Sequence, residues 1–197
     1  MKDSHVAEDV TRAAVELFAT RGYANTSVQQ IVEAAGVTKG AMYHYFESKD
    51  DLLFGIYDSL LSLQKAHLDK IIARGGETYD VLRAACVDVL ETSIDHIAEG
   101  AVFFRSMNML SAPRQQDVTR RRRRYHDEFA ALIERGQREG LFRDDIPVAL
   151  LVAHFFSDVH YLSHWYSPEG PEGKTLIAEQ ITDLFFAGLR RTDAVHP

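Results

Sequence analysis

The sequence is poor in cysteine and in long apolar runs, and each shortage excludes a class of protein. Its 197 residues include one cysteine, Cys86, which has no second cysteine in the sequence to form a disulfide with. No apolar stretch approaches the roughly 18 residues that a membrane-spanning helix needs. The first residues lead into mixed polar sequence instead of the apolar core of a signal peptide. We therefore expect a globular protein of the reducing cytoplasm, with no membrane association.

Positive charge is also scarce. The chain has 22 Lys and Arg against 29 Asp and Glu, a net charge of -7, and a pI of about 5.7. A protein that coats nucleic acid through bulk charge is therefore excluded. Even residues 1–50 are slightly acidic, so any contact with DNA has to be local.

Signatures of catalysis are missing as well. The sequence has no HExxH, no phosphate-cradling glycine loop and no GxSxG turn. His160 and His164 are four residues apart, with His154 earlier in the same segment, which is compatible with a metal pair. No cysteine or third spaced ligand supports such a site, and pocket polarity or a subunit contact is the ordinary alternative. We expect no enzyme activity, no cofactor and no metal.

Apolar residues recur at helical spacing along almost the whole chain, and no alternating strand pattern is found. This predicts an all-α fold of about nine helices. Seven of them are placed at about 4–21, 48–74, 78–98, 101–110, 114–139, 147–166 and 174–190, and two short ones lie between the first two of these.

Several helix ends are marked by specific residues. Gly22 ends the first helix and Gly75-Gly76 the fourth. Gly140 ends the seventh, with Leu141 placed for a hydrophobic contact with that helix. Asp145 and Pro147 begin the eighth.

The two short helices form the most informative segment. Ser27 and Gln30 have capping-box spacing at the start of the first, and Thr38 caps the second. Only Gly36-Val37 joins them, which is the geometry of a helix-turn-helix, with Met42 and Phe46 facing inward. In such motifs the N-terminal part of the second helix enters the major groove. The residues able to reach bases or flanking phosphates are then Lys39, Gly40, Ala41, Tyr43 and His44.

The same segment carries a family resemblance. It contains GV-x-KG-x-x-Y-x-x-F-x-SK-x-x-L from Gly36 to Leu52, preceded by AVELFATRGY at 14–23 and TSVQQI at 26–31. This resembles the N-terminal domain of the TetR family of transcriptional regulators. The resemblance implies a DNA-binding domain over 1–50 and a helical ligand-binding and dimerisation domain over 51–197, with the helix at about 48–74 connecting the two.

The resemblance also implies roles for individual residues. Tyr43, Tyr45 and Lys49 would contact phosphates, with plain core packing as the alternative for Tyr43. Replacing Lys49 with alanine is then expected to reduce the salt dependence of binding by a slope of about one. The base-discriminating residues would lie on both short helices. The full predicted DNA-binding set is Ser27, Gln29, Thr38, Lys39, Gly40, Ala41, Tyr43, His44, Tyr45 and Lys49.

TetR-like proteins pair through their last two helices, so the resemblance implies a homodimer. The residues expected to face the partner are Ile177, Ile181, Leu184, Phe185, Leu189 and part of the stripe Phe155, Val159 and Leu162. The alternative is that these residues form only intramolecular core.

A pocket lined by the fifth to eighth helices is expected, because aromatic residues and methionines concentrate there. The run Arg120 to Arg124 surrounds its helix completely, so at least one guanidinium must approach neighbouring helices; a surface run with one internal salt bridge is the alternative. The predicted ligand-binding residues are Phe103, Phe104, Met107, Arg121, Arg124, Tyr125, Phe129, Phe155, Phe156, His160 and Trp165.

The segment HWYSPEGP at 164–171 resembles TetR-family regulators of fatty-acid and sterol breakdown that respond to acyl-CoA thioesters. The resemblances together imply a repressor that binds a palindromic operator as a homodimer and is released by a hydrophobic effector. A long-chain acyl-CoA and an unspecified hydrophobic or aromatic molecule are the two effector hypotheses. The alternative function is a small-molecule-binding helical protein with a degenerate DNA-binding motif.

Overall fold

The computed structural model describes residues 3–191, with side chains from residue 5 onward. Regular structure in this part of the chain is entirely helical, as expected, and nine α-helices are present. Two 3-10 turns, Met107–Met109 and Leu162–His164, extend α6 and α8. The helices are α1 Asp3–Arg21, α2 Val28–Ala34, α3 Lys39–Tyr43, α4 Lys49–Arg74, α5 Thr78–Asp95, α6 Ile97–Ser106, α7 Ala112–Arg138, α8 Val148–Tyr161 and α9 Lys174–Leu189.

The chain divides into two compact units. The first comprises the described residues up to 61 together with 96–120, and the second comprises 62–95 and those from 121 onward. Helices α4 and α7 contribute residues to both units. The predicted DNA-binding segment lies in the first unit, which also contains α6; the functional boundary at residue 50 stays a prediction.

In the first unit, α1 packs against α2, α3 and α6. Its helical stripe buries Val10, Ala14 and Phe18, and the facing helices bury Ile31 and Met42. Large apolar side chains of this kind each stabilise the fold by about 1.5–3 kcal/mol when fully buried. The three N-terminal helices thus share one small core.

In the second unit, α5 packs along α9 and against α8. Aromatic rings fill its interior, with 5.0 Å between the ring centroids of Phe155 and Phe185 and 5.1 Å between those of Phe129 and Phe156. Cys86 is fully buried, and this burial raises the pKa of its thiol. Among the described helices, none is both long enough and apolar enough to cross a membrane.

Some helix limits differ from the sequence predictions. The break between α5 and α6 falls at His96, before the predicted gap, and α6 starts at Ile97. Helix α7 begins at Ala112, so Pro113 lies in its first turn, where a proline has no hydrogen bond to lose. Helix α8 becomes a 3-10 turn after Tyr161 and does not continue to Tyr166 as an α-helix.

The end of α7 agrees with the sequence prediction for Gly140 but differs from the one for Leu141. Gly140 has φ of +74°, and the amide of Leu141 donates to the Gly136 carbonyl at 2.9 Å, which closes the helix as expected. Leu141 is 45% exposed, so the predicted hydrophobic contact is wrong. Its partner position in this motif is Gly136, which has no side chain to meet it. The ring of Phe142 occupies that space, and a Cβ on Gly136 would lie 2.2 Å from it.

The prediction for the start of α8 is correct for Pro147 and wrong for Asp145. Pro147 precedes the first helical residue, as predicted, but no side chain caps the helix. The Asp145 carboxylate instead accepts hydrogen bonds from Arg143 at 2.7 and 2.6 Å. This pairing lowers the pKa of Asp145 and takes up the oxygens that a cap would need.

Candidate functional site

Helices α2 and α3 form a capped helix-turn-helix. The Ser27 hydroxyl accepts from the Gln30 amide at 3.2 Å, and the Gln30 side chain accepts from the Ser27 amide at 2.8 Å, which confirms the capping box. Gly36 has φ of +67°, a value that favours glycine, and lets the chain turn. The Thr38 hydroxyl accepts from the Ala41 amide at 3.1 Å and starts α3. Local hydrogen bonds therefore fix where the second helix begins.

Seven of the ten predicted DNA-binding residues are exposed on this motif, and we call the surface they form the recognition face. Tyr43 is 50% exposed, so the alternative of core packing is wrong for it, whereas Met42 is completely buried as predicted. Of the remaining residues, Ala41, Tyr45 and Lys49 are half-buried and the others are exposed: Ser27, Gln29, Thr38, Lys39, Gly40 and His44.

Gly40 is not required by the fold. A Cβ built on it would meet only the Thr38 hydroxyl, at 3.8 Å, an ordinary contact. Its φ also lies outside the left-handed region that favours glycine. The fold would therefore accept a larger residue here, and the predicted need for a small residue against DNA stays a prediction.

Two other residues singled out in the sequence, Gln29 and Phe46, have close neighbours within the first unit. The side-chain amide of Gln29 donates to the Glu33 carboxylate one turn later on α2. The Phe46 ring is half-buried, not enclosed in the core as predicted. It lies against Gly55 of α4, where an added Cβ would be 3.5 Å from the ring. Gly55 thus leaves room for the Phe46 ring, in the segment between α3 and α4.

Lys49 has a structural role that sequence reasoning missed. Its ammonium donates to the carbonyls of Tyr23 at 2.9 Å and Thr26 at 2.8 Å. It also lies 4.3 Å from the centre of the Tyr23 ring. Burial lowers the pKa of Lys49. The side chain holds the start of α4 against the turn between α1 and α2, and its predicted phosphate contact stays a prediction.

The first turn of α4 is also bound to the start of α7. The Asp50 carboxylate accepts from both the amide and the hydroxyl of Ser111 at 2.9 Å. Asp51 accepts from Arg114, whose guanidinium lies 4.3 Å above the Phe54 ring. No local sequence signal indicates these contacts, because the partners are 61 and 63 positions apart.

The predicted ligand-binding residues fall into both units. Phe103, Phe104 and Met107 belong to the first, where Phe103 is fully buried with 3.8 Å between its ring centroid and that of Tyr57. The remaining eight belong to the second: Arg121, Arg124, Tyr125, Phe129, Phe155, Phe156, His160 and Trp165. Tyr125, Phe129, Phe155 and Phe156 form a buried aromatic cluster, while Trp165 is 51% exposed. Their assignment to a ligand stays a prediction.

One arginine of the run turns inward, as expected, but it is not one of the two predicted. Arg122 is half-buried, whereas Arg121 and Arg124 are exposed. Burial, followed by the positive charge of Arg122, lowers the pKa of His126 to about 4 and that of His160 to about 3. Arg122 and the two imidazoles therefore form the polar group beside the aromatic cluster.

The spaced histidines do not assemble a metal site. His154 and His164 are exposed, and His160 instead has its ring centroid 6.2 Å from that of His126. Among the side chains from residue 5 to 191, no three His, Cys, Asp or Glu residues are grouped to hold an ion.

The predicted partner-facing residues were largely assigned to the wrong face. Five are buried within this chain: Phe155, Val159, Leu162, Phe185 and Leu189. Leu184 is 75% exposed, as a partner contact requires, and Ile177 and Ile181 are half-buried. Leu150, Tyr161 and Leu176 are further exposed apolar residues of these helices that the prediction did not include. Helices α8 and α9 have apolar residues around most of their circumference, so helical periodicity could not show which side faces outward.

Comparison with known families covers most of the chain. Residues 10–56 match the family described as "Bacterial regulatory proteins, tetR family". Residues 75–189, more than half of the chain, match "Tetracyclin repressor-like, C-terminal domain". The exposed helix-turn-helix and the helical second unit define a transcriptional regulator, not an enzyme. The chain belongs to the TetR family.

Individual relatives align over nearly their full length. The HTH-type transcriptional repressor KstR2 of Mycobacterium tuberculosis is 25% identical over 185 residues, which are 93% of this chain and 92% of that protein. A solved KstR2 structure has a TM-score of 0.84 at 23% identity, covering 94% and 95% of the two chains. PfmR from Thermus thermophilus has a TM-score of 0.83 at 27% identity, covering 92% and 99%. AibR, solved with isovaleryl coenzyme A and operator DNA, has a TM-score of 0.78 at 22% identity, covering 92% and 98%.

Proposed function

We propose that this regulator is a ligand-responsive repressor that binds a palindromic operator as a homodimer and is released by a hydrophobic small molecule. The observation that carries the proposal is the recognition face, where small and polar side chains are exposed around Lys39 and Tyr43. Such a protein acts in the cytoplasm, where the DNA is. The relative KstR2 is named a transcriptional repressor, which supports repression of transcription over activation.

The recognition face suits entry into a major groove. Thr38, Lys39 and His44 offer hydroxyl, ammonium and imidazole groups to base edges, and Gly40 permits close approach. The exposed Tyr43 side chain would donate its hydroxyl to a phosphate oxygen. Because the net charge is -7, affinity has to come from this local surface.

The exposed apolar residues of α8 and α9 support the homodimer. Leu150 and Tyr161 on α8 and Leu176 and Leu184 on α9 are between 46% and 75% exposed. A two-fold interface would bury this surface against its own copy. Two recognition helices related by the same axis would read half-sites of inverted sequence, so the operator is expected to be palindromic.

The buried aromatic cluster supports a hydrophobic effector. The positive charge of Arg122 beside the cluster supports an effector that also carries an anionic group. Arg122 lies close enough to lower the pKa values of His126 and His160. An acyl-CoA thioester combines an apolar chain with anionic phosphates, and AibR was solved with isovaleryl coenzyme A. Trp165, in the segment that resembles acyl-CoA-responsive regulators, is half-exposed and accessible to a ligand. A long-chain acyl-CoA is therefore our specific candidate, with other hydrophobic or aromatic molecules as the alternative.

The proposal is tested on the DNA that flanks the gene of this protein, in a gel-shift assay at low salt. Lys39→Ala should weaken binding by about tenfold, since a lost base or phosphate contact costs about 1–3 kcal/mol. Lys70→Ala, on an exposed part of α4, is the matched control and should bind as the unmodified chain does. An equal loss in both variants would contradict a role for the recognition face.

The effector is tested in the same assay. Long-chain acyl-CoAs and aromatic acids that raise the melting temperature should release the DNA, and DNA should weaken their binding by the same factor. Acyl-CoAs that neither bind nor release DNA would exclude that effector class. A chain that binds such molecules but shifts no duplex would favour the alternative of a small-molecule-binding protein with a degenerate motif.

A further inference from the structure

A groove runs along the outer side of α1 in the first unit; we call it the α1 groove. Its volume is about 800 Å³, within the range of small-molecule sites. Its small or apolar lining residues, which we call the floor, come from α1, α4, α6 and the segment between α3 and α4. They are Ala7, Val15, Ala19, Phe46, Gly55 and Ala98.

The groove is open because several of the residues that line it have short side chains or none. Gly55 adds no side chain against the half-buried Phe46 ring, and the lining residues Ala19 and Ala98 are also small. Part of an aromatic ring is thus accessible inside an apolar depression. An aromatic group of a ligand can pack against such a ring.

The rim of the groove is acidic. Glu8, Glu16 and Glu99 line it, together with Arg12. The Arg12 guanidinium is paired with Asp9, on the same helix, which compensates its charge. His5 and His96 lie beside two of these carboxylates, at 3.8 Å from Glu8 and 3.5 Å from Glu99. The depression therefore combines an apolar floor with negative charge at its edge.

We infer that the α1 groove binds an organic cation with an apolar body, such as an aromatic amine or a quaternary ammonium compound. The body would lie on the floor against Phe46, and the ammonium would lie at the rim near Glu16 and Glu99. This is a second ligand site, and it does not depend on the effector or the DNA binding proposed above.

Three naphthalene probes of equal size test the inference on the full chain by isothermal titration calorimetry. They are 1-naphthylmethylamine, which is a cation at neutral pH, 1-naphthylmethanol and 1-naphthaleneacetate. The amine should bind at least tenfold more tightly than the acetate, because the rim attracts one and repels the other. Equal affinity for all three would overturn the inference and reduce the groove to an apolar patch.

Single variants locate the site. Glu16→Gln and Glu99→Gln should each weaken amine binding by about fivefold, the Coulomb effect of one charge at about 4 Å in water. Glu172→Gln, exposed in the second unit, is the matched control and should leave amine binding unchanged. Amine binding that is insensitive to both rim variants would place the cation elsewhere.

Filling the groove gives an independent test. Ala98 is exposed, so Ala98→Phe should fold normally and exclude the naphthalene body from the floor. Amine binding should then be lost while the melting temperature, followed by circular dichroism, stays unchanged. If this variant is destabilised, the two glutamine variants decide the question. Retained binding in a folded Ala98→Phe chain would contradict the inference, whatever the outcome of the DNA assays.

Discussion

Substitutions of Lys49 distinguish its contribution to the stability of the fold from its predicted contribution to DNA binding. Its ammonium makes two charge-assisted hydrogen bonds, to the carbonyls of Tyr23 and Thr26, each worth about 1.5–3 kcal/mol. The half-buried position and the freedom of a lysine chain reduce this value, so we expect Lys49→Ala to lower the free energy of unfolding by about 2 kcal/mol. At about 2–4 °C per kcal/mol for a chain of this size, the melting temperature should fall by about 4–8 °C.

Lys49→Arg provides the comparison. Arginine retains the charge, but its planar guanidinium does not fit the geometry of the two carbonyls as an ammonium does. Both variants should therefore melt at lower temperature. If the charge also faces a phosphate, only Lys49→Ala should reduce the slope of log affinity against log salt, by about one.

Thermal melting and gel shifts over a salt series measure the two effects separately. A melting temperature unchanged in Lys49→Ala would refute the reasoning from the two carbonyl contacts. An unchanged salt slope in that variant would refute the phosphate contact and leave Lys49 as a residue of the fold alone.

Three further predictions concern packing, association and pH. Gly136→Ala should lower the free energy of unfolding by about 2 kcal/mol in chemical denaturation, because its Cβ would overlap the buried Phe142 ring. Gly100→Ala, with open space around it, should not, and equal effects would contradict the packing argument. Leu184→Glu should shift the protein toward monomer in light scattering; an unchanged dimer would place the interface elsewhere. Burial lowers the pKa of His126 from 6.5 to about 4. Between these pH values the unfolded chain binds a proton at His126 that the folded chain does not bind, so the free energy of unfolding should fall as pH drops from 6.5 to 4. His126→Gln should flatten that decline, and an unaltered pH profile would count against the shift.

Features fixed by neighbouring residues could be predicted from the sequence. The hydrogen bonds of Ser27 with Gln30 and of Thr38 with Ala41 span three positions, and Gly36 marks the turn between them. These short-range patterns were sufficient to place the helix-turn-helix and its exposed side. The family resemblance extended this to a function.

Features that depend on distant partners could not be predicted. Lys49 contacts carbonyls 23 and 26 positions away, and Asp50 binds Ser111 from 61 positions away. The choice of Arg122 over Arg121 and Arg124 depends on the orientation of α7, which periodicity does not determine when five consecutive residues are identical.

The recognition face has a practical consequence for engineering. Lys39 and His44 project from α3, while the caps and core that hold the helix use Thr38 and Met42. Substitutions at the projecting positions should therefore leave the scaffold intact. If these positions read the operator as proposed, libraries varied only there would direct the protein to new promoters, which is useful for building synthetic gene circuits.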